Sequence, residues 1–140
     1  MVYIRAAQAH DAPLIKKMVS DEQLDPTAIK WQRFLIAEVD GQIAGIGQVR
    51  KHRDCEELGS LIVLKAYRGQ GIAAQLIEQL EARAGRPLYL DCRDRMIPYY
   101  ERFGYKVIRY WDTPLTLRLK LLFPMMFRVF GIRVVSMRKD

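Results

Sequence analysis

The 140-residue sequence predicts a mixed α/β fold: a mostly antiparallel central sheet with flanking helices and an extra helical segment before the last strand. Three observations carry this. Two apolar runs, "RFLIAEV" and "QIAGIGQVRKH", flank Asp40-Gly41, a dipeptide suited to a two-residue hairpin turn. A third run, "EELGSLIVL", leads through the glycine turn "RGQG" into a helix-spaced apolar pattern. Antiparallel strands thus precede a strand–helix–strand crossover, which departs from the strict alternation of a doubly wound fold.

Taken in order, "VYIRAA" is a short strand, and Asp11 is placed to cap a helix that has Pro13 in its first turn and Leu14, Ile15, Met18 and Val19 as apolar positions. The polar stretch "SDEQLDPTAIKWQ" is irregular, with a short helical turn expected after Pro26. After the hairpin and the third strand, residues 71–84 place Ile72, Ala73, Leu76, Ile77, Leu80 and Ala84 on one helical face. Gly85 is expected to end that helix and Pro87 to start the strand "PLYLDC". "RMIPYYERF" is a short helix closed by Gly104, "YKVIRYW" a strand, and "IRVVSMR" the last strand. No repeat, low-complexity tract or linker interrupts the order, so residues 1–140 are expected to form one domain.

Half of the residues are hydrophobic and 28% are charged, as in a folded globular chain. The net charge of +7 favours acidic partners: nucleotide phosphates, nucleic acid or an anionic membrane face. No aromatic-interleaved basic patch or helix-turn-helix spacing accompanies it, so nucleic acid is not expected as partner. Cys55, Cys92, His10 and His52 lack zinc-ligand spacing, and no metal is expected. The amino terminus has no basic segment followed by a long apolar one, so a reducing cytoplasm is the expected setting. No apolar run is long enough for a spanning helix.

The glycine turn admits several readings. A dinucleotide fingerprint needs G-x-G-x-x-G early in a βαβ unit, whereas Gly69 and Gly71 are followed by Ala74 in mid-chain. A P-loop needs a longer loop ending in Gly-Lys-Ser/Thr. A tight strand-to-helix connection with no ligand is also open. Physically, N–H groups in a first helical turn lack partners and the dipole there favours anions. Glycine at 69 and 71 removes side chains that would keep a phosphate away, and Arg68 adds positive charge.

The residues around the turn add a resemblance. "RGQGIA" follows a buried-type strand and precedes "IPYYERFGY" by about 30 residues, and together they resemble the GNAT superfamily of N-acetyltransferases. "YIRAAQAHDAPLI" looks like that family's opening strand and helix, "FLIAEVDGQIAGIGQV" like its next two strands, and "VVSMRK" like its last. Roughly residues 3–110 are covered. The resemblance implies the acyl-CoA N-acyltransferase fold, acetyl-CoA as cosubstrate, and an amine-bearing small molecule, peptide or protein as acceptor. It implies that Gly69, Gln70, Gly71, Ile72, Ala73 and Ala74, with Arg68, hold the pyrophosphate, while the backbone of Leu61, Ile62 and Val63 pairs with pantetheine amides.

Acetyl transfer to an amine needs a neutral amine, a polarised thioester and a proton for the departing thiolate. By resemblance, Glu57, six residues before Val63, is the candidate base. Beside Glu56 it also reads as a surface charge at a strand start, and His52 is a weaker base candidate. Tyr100 matches the family's tyrosine and is the candidate general acid. Many relatives have an asparagine seven residues earlier, bonding the pantetheine arm. Arg93 stands there, with Asp94 and Arg95 as substitutes, which leaves a catalytically weak CoA-binding or regulatory module as the alternative function. Direct attack needs no covalent enzyme intermediate, so Cys92 reads as a strand-end residue.

The segment "DTPLTLRLKLLFPMMFRVFG", residues 112–131, is an insertion where a hairpin would suffice. Thr113 and Pro114 suit a helix start, Pro124 is expected to kink or split the helix, and Gly131 to stop it. Its apolar residues leave only a narrow basic face of Arg118, Lys120 and Arg128. Three roles stay open: a wall over the acetyl site or sheet, a homodimer contact, or a peripheral membrane contact through 114–130.

Overall fold

A computed structural model describes residues 1–22, 24, 29–126 and 133–140, and for 123–126 the backbone alone. The helical turn expected after Pro26 and the helix stop expected at Gly131 lie outside the described residues. The described chain is mixed α/β, with seven strands, mostly antiparallel, and flanking helices. It divides into two compact units, Met1–Arg50 with Leu58–Ala84, and Lys51–Glu57 with Gly85–Asp140.

In the first unit, β1 (Val2–Ala6) pairs antiparallel with β2 (Phe34–Val39), from Val2↔Val39 to Ala6↔Leu35. Strand β2 pairs antiparallel with β3 (Gln42–Lys51), with an irregularity between Ala37 and Glu38. Asp40 and Gly41 both have positive φ, 50° and 77°, the conformation a hairpin turn matched to strand twist requires. Helix α1 (Ala12–Asp21) buries Ile15, Met18 and Val19 against Phe34, Ile36, Ile46 and Ile62. Asp11 precedes α1, but its carboxylate does not cap it. The carboxylate accepts two bonds from Arg5 (2.8 and 3.0 Å) and the Gln8 N–H (2.7 Å), and so holds the preceding turn instead.

Strand β4 (Glu56–Val63) lies mostly in this unit and leads through a one-turn helix, Lys65–Tyr67, to α2 (Ile72–Ala82). Ile72, Leu76, Ile77 and Leu80 are almost wholly buried, each burial being worth roughly 1.5–3 kcal/mol relative to exposure. A Cβ at Gly47 would stand 2.8 Å from Leu80 Cδ1, so the missing side chain sets how closely α2 approaches the sheet. Helix α2 ends earlier than the apolar pattern suggests. Arg83 and Ala84 donate to Leu80 and Glu81 in a tightened last turn, and Gly85 donates its N–H to Glu56 Oε2 (3.0 Å) without capping the helix.

In the second unit, β5 (Leu88–Arg93) and β6 (Lys106–Ile108) both pair antiparallel with β7 (Val134–Lys139), which lies between them. Helix α3 (Ile97–Glu101) precedes β6, and Gly104 closes the connection at φ 92°. The strand expected over 105–111 pairs only at 106–108. Beyond it, Arg109 bonds Asp112 (2.8 Å) and Thr113 Oγ1 donates to Arg109 O (2.9 Å), turning Tyr110–Asp112 into a helical turn. Helix α4 (Leu115–Met126) buries Leu117 and Leu121 and exposes Leu115, Leu119 and Leu122.

The start of α4 differs from expectation. Arg118 N–H donates to Pro114 O, so Pro114 stands one position ahead of the helix and Thr113 before that. Asp54 Oδ2 accepts the Thr116 N–H (3.2 Å) and supplies the capping oxygen that proline lacks. The helix also continues through Pro124 to Met126 without a break. Among the described residues, no helix is long and apolar enough to cross a membrane.

Candidate active site

The glycine turn lies in the first unit. Gly69 and Gly71 have φ of 81° and 76°, and Gly71 immediately precedes α2 in the left-handed conformation. A Cβ at either would meet open space, so the glycines are needed here for backbone conformation and close approach, not for packing. The helical ladder starts with Gln75 N–H donating to Gly71 O (3.2 Å), which leaves the N–H groups of Ile72, Ala73 and Ala74 outside it. Arg68 Nε donates to Val63 O (2.9 Å), and its Nη2 stands 3.5 Å from Glu22. This guanidinium therefore ties the turn to the end of β4 as well as adding charge. Of the predicted strand residues, Ile62 is buried while Leu61 and Val63 are half-buried.

The second unit holds the candidate catalytic side chains. Glu57 is buried, not a surface charge beside Glu56. Its Oε1 is 2.7 Å from His52 Nε2 and 3.0 Å from Lys120 Nζ, and its Oε2 is 3.3 Å from the same nitrogen. The His52 N–H donates to Cys55 O (2.9 Å), which fixes the loop that carries the imidazole. Lys120 comes from α4, so that helix reaches the candidate base. Nothing in the local sequence marks this pairing, because the two residues are separated by 63 positions.

Tyr100, on α3, is mostly buried, with its ring edge-on to Tyr99 (5.3 Å) and Tyr105 (6.2 Å). Burial pushes its phenol well above the ordinary tyrosine range, with Cys92 and Tyr99 adding to the effect, so the hydroxyl stays protonated through neutral pH. Tyr99 packs on Phe103 and lies under Arg102. Burial pushes the Cys92 thiol up to about 12, with help from Asp91 and Asp94, and the Cys55 thiol likewise to about 12, helped by Asp54. Both thiols therefore stay protonated at neutral pH. Arg93 ends β5, exposed, opposite Val134. Among the described residues, no group of three or more His, Cys, Asp or Glu is placed to hold a metal.

One polar group escaped the sequence reading. In the first unit Ser60, at φ 49°, accepts from Gln48 (3.0 Å) and Arg50 (2.9 Å), and all three are buried. A Cβ on Gly59 would stand 2.5 Å from Arg50 Nη1, so the glycine makes room for the guanidinium. Gly-Ser inside a strand is the trace that points to such a distortion.

A mixed sheet in which a largely buried strand runs into a glycine-opened helix, with a tyrosine helix later in the chain, is the acyl-CoA N-acyltransferase fold. The family model for the acetyltransferase (GNAT) family matches residues 5–105, and the chain belongs to that family. No curated protein matches it in sequence. Among solved structures it is similar to N-acetylglutamate synthase from Neisseria gonorrhoeae, complexed with coenzyme A and N-acetyl-glutamate. The identity is 20% and the TM-score 0.77, over 99% of this chain and 35% of that one. A Mycobacterium tuberculosis protein in complex with CoA gives 17% identity and a TM-score of 0.75, over 98% of each chain. An acyl-CoA N-acyltransferase from Pseudomonas aeruginosa gives 18% and 0.69, over 100% of this chain and 99% of that one. The chain spans about a third of the length of the gonococcal synthase chains it resembles. At these identities the likeness is one of fold.

Proposed function

We propose that the protein moves an acetyl group from acetyl-CoA to a primary amine by direct nucleophilic attack. The observation that carries this is the left-handed Gly69-x-Gly71 turn, opening a helix directly after β4, in a chain of the acetyltransferase family. In this reading, main-chain N–H groups of residues 69–74 hold the pyrophosphate and Arg68 keeps the turn in place. The backbone of Leu61, Ile62 and Val63 pairs with the pantetheine amides, and Arg93 borders that arm in place of the usual asparagine. Glu57 takes a proton from the ammonium, and the neutral amine attacks the thioester carbon. As the C–S bond breaks, Tyr100 donates its proton to the leaving sulfur, and the second proton lost by the nitrogen as it becomes an amide restores the phenol through solvent. Its raised pKa supports a donor that is always loaded and is returned quickly to the neutral form.

Calorimetry with acetyl-CoA, followed by thiol release across an amine panel, tests this. Amino acids head the panel, because the similar gonococcal chain is an N-acetylglutamate synthase. Polyamines, aminoglycoside-type antibiotics, peptide N-termini and protein lysines complete it. Binding with no thiol release from any amine would favour the second reading, a CoA-binding or regulatory module. The observation favouring that reading is the double engagement of Glu57 by His52 and Lys120. We further infer that the exposed Leu115, Leu119 and Leu122 of α4 form a contact surface, for a second copy or an anionic membrane. Sedimentation and liposome flotation decide between these, and a monomer that does not float would overturn both.

A further inference from the structure

We propose that Lys120 is itself an acetyl acceptor, so that the protein acetylates its own α4 at this lysine. The inference rests on the reading of Glu57 as general base. A base that serves an acceptor amine must lie within hydrogen-bond reach of it. The amine found in that position is Lys120 Nζ, 3.0 and 3.3 Å from the two oxygens of Glu57.

Three features separate this from an ordinary surface ion pair. Glu57 is 3% exposed and Lys120 27%, whereas Lys17 with its partner Asp21 is 69% and 59% exposed. The lysine is delivered by a docked helix. Thr116, one turn before Lys120, donates its N–H to Asp54 (3.2 Å), which ties the start of that turn to the 51–57 segment, and the neighbouring Leu117 and Leu121 are buried, so the turn is packed rather than free in solvent. Finally, the carboxylate has an onward proton partner in His52 Nε2 at 2.7 Å.

The chemistry balances with groups already present. Lys120 passes one ammonium proton to Glu57, and His52 accepts it from Glu57 and releases it to solvent. The neutral Nζ attacks the thioester carbon of acetyl-CoA, the N–C bond forms and the C–S bond breaks. Glu57, free again once His52 has released the first proton, takes the second proton from the nitrogen; the CoA sulfur departs as a thiol with the proton donated by Tyr100, and the second proton, passed through solvent, restores the phenol, so one proton is released overall. The product amide carries no charge, so the ion pair with Glu57 dissolves once the modification is made.

The test incubates the full chain with acetyl-CoA alone and maps acetylation by peptide mass spectrometry. One acetyl increment on the peptide containing Lys120 is expected, forming roughly 100-fold more slowly in Glu57→Gln. The exposed Lys16 and Lys17 should acquire only the background seen equally in both proteins. Lys120→Arg should lose the increment, and calorimetric CoA binding reports that each variant is folded. Equal acetylation of Lys120 in Glu57→Gln would mean uncatalysed chemistry and overturn the proposal. An unmodified Lys120 in a protein that releases thiol with an external amine, in a Glu57-dependent way, would overturn it and leave the base assignment standing. If neither thiol release nor acetylation occurs, the acetyltransferase reading fails first and the proposal with it.

Discussion

At Tyr100, the burial that raises the phenol pKa also limits its role: full proton transfer is harder than for a free phenol, but the O–H is always available. Tyr100→Phe should therefore lower kcat by roughly 100-fold and leave the calorimetric affinity for CoA unchanged. A parallel loss of affinity would make the residue a packing element of α3. Asp11 carries a second prediction, of stability. Its hydrogen bonds from Arg5, opposed by burial and aided by the Gln8 N–H, hold its pKa at about 2 against an ordinary 3.8. A depressed carboxylate stabilises the fold above its unfolded pKa and loses that contribution as pH falls from about 4 through about 2. Asp11→Asn should cost about 2 kcal/mol at neutral pH, and the deficit against the parent should vanish near pH 2, as followed by urea unfolding across pH. The placement of single residues was readable from the sequence where a local motif names them: Tyr100 lies on the short helix and Gly71 in the turn that opens α2, as their motifs predict. Glu57 was readable as a position but not as a buried group, because its partners His52 and Lys120 come from a loop and from a helix more than 60 positions away.

Elements were legible in proportion to how local their causes are. The hairpin β2–β3 follows from Asp40-Gly41 and the alternation beside it, and α2 from its apolar face and the two glycines. Gly71→Ala would force a Cβ into the left-handed region at about 1–2 kcal/mol. It should raise the CoA dissociation constant about tenfold as the turn shifts to relieve that strain. Since nothing stands near the added Cβ, an unchanged affinity would mean that the left-handed turn does not hold the phosphates. Helix α4 was predicted from composition, but its start was misread, because Pro114 has no capping oxygen and Asp54 supplies one from outside the segment. Asp54→Ala should cost about 1 kcal/mol and selectively speed amide exchange in the first turn of α4, with α2 unaffected. Uniform exchange across the chain would show that the bond from Thr116 is incidental. The shortened β6 has a similar explanation: three residues find partners on β7, and the Arg109–Asp112 pair turns the chain away before "RYW" can continue the ladder.

For the molecule as a whole, composition bounded the partner's sign and the element order bounded the fold class, while the strand arrangement stayed hidden. That β7 lies between β5 and β6 follows from pairings such as Leu90↔Met137 and Val107↔Met137, which leave no trace in either segment alone. The family match over residues 5–105 agrees with the motifs that resembled it, and the segment 112–131 lies beyond it. The net charge of +7 then bears on cosubstrate binding rather than on fold. A ligand that binds the native state alone stabilises it by about 2.7 kcal/mol at 100 times its dissociation constant, which should raise Tm by roughly 5–10 °C for a chain of this size. Because the proposed seat is main-chain N–H groups plus the field of a basic protein, part of that gain is electrostatic. It should shrink when salt is raised to about 0.5 M, where screening acts within several ångströms. Dephosphorylated pantetheine, which lacks the pyrophosphate, should give a small shift that salt does not change. Equal, salt-independent shifts from CoA and from pantetheine would place the binding energy in the β4 arm and remove the glycine turn from its assigned role.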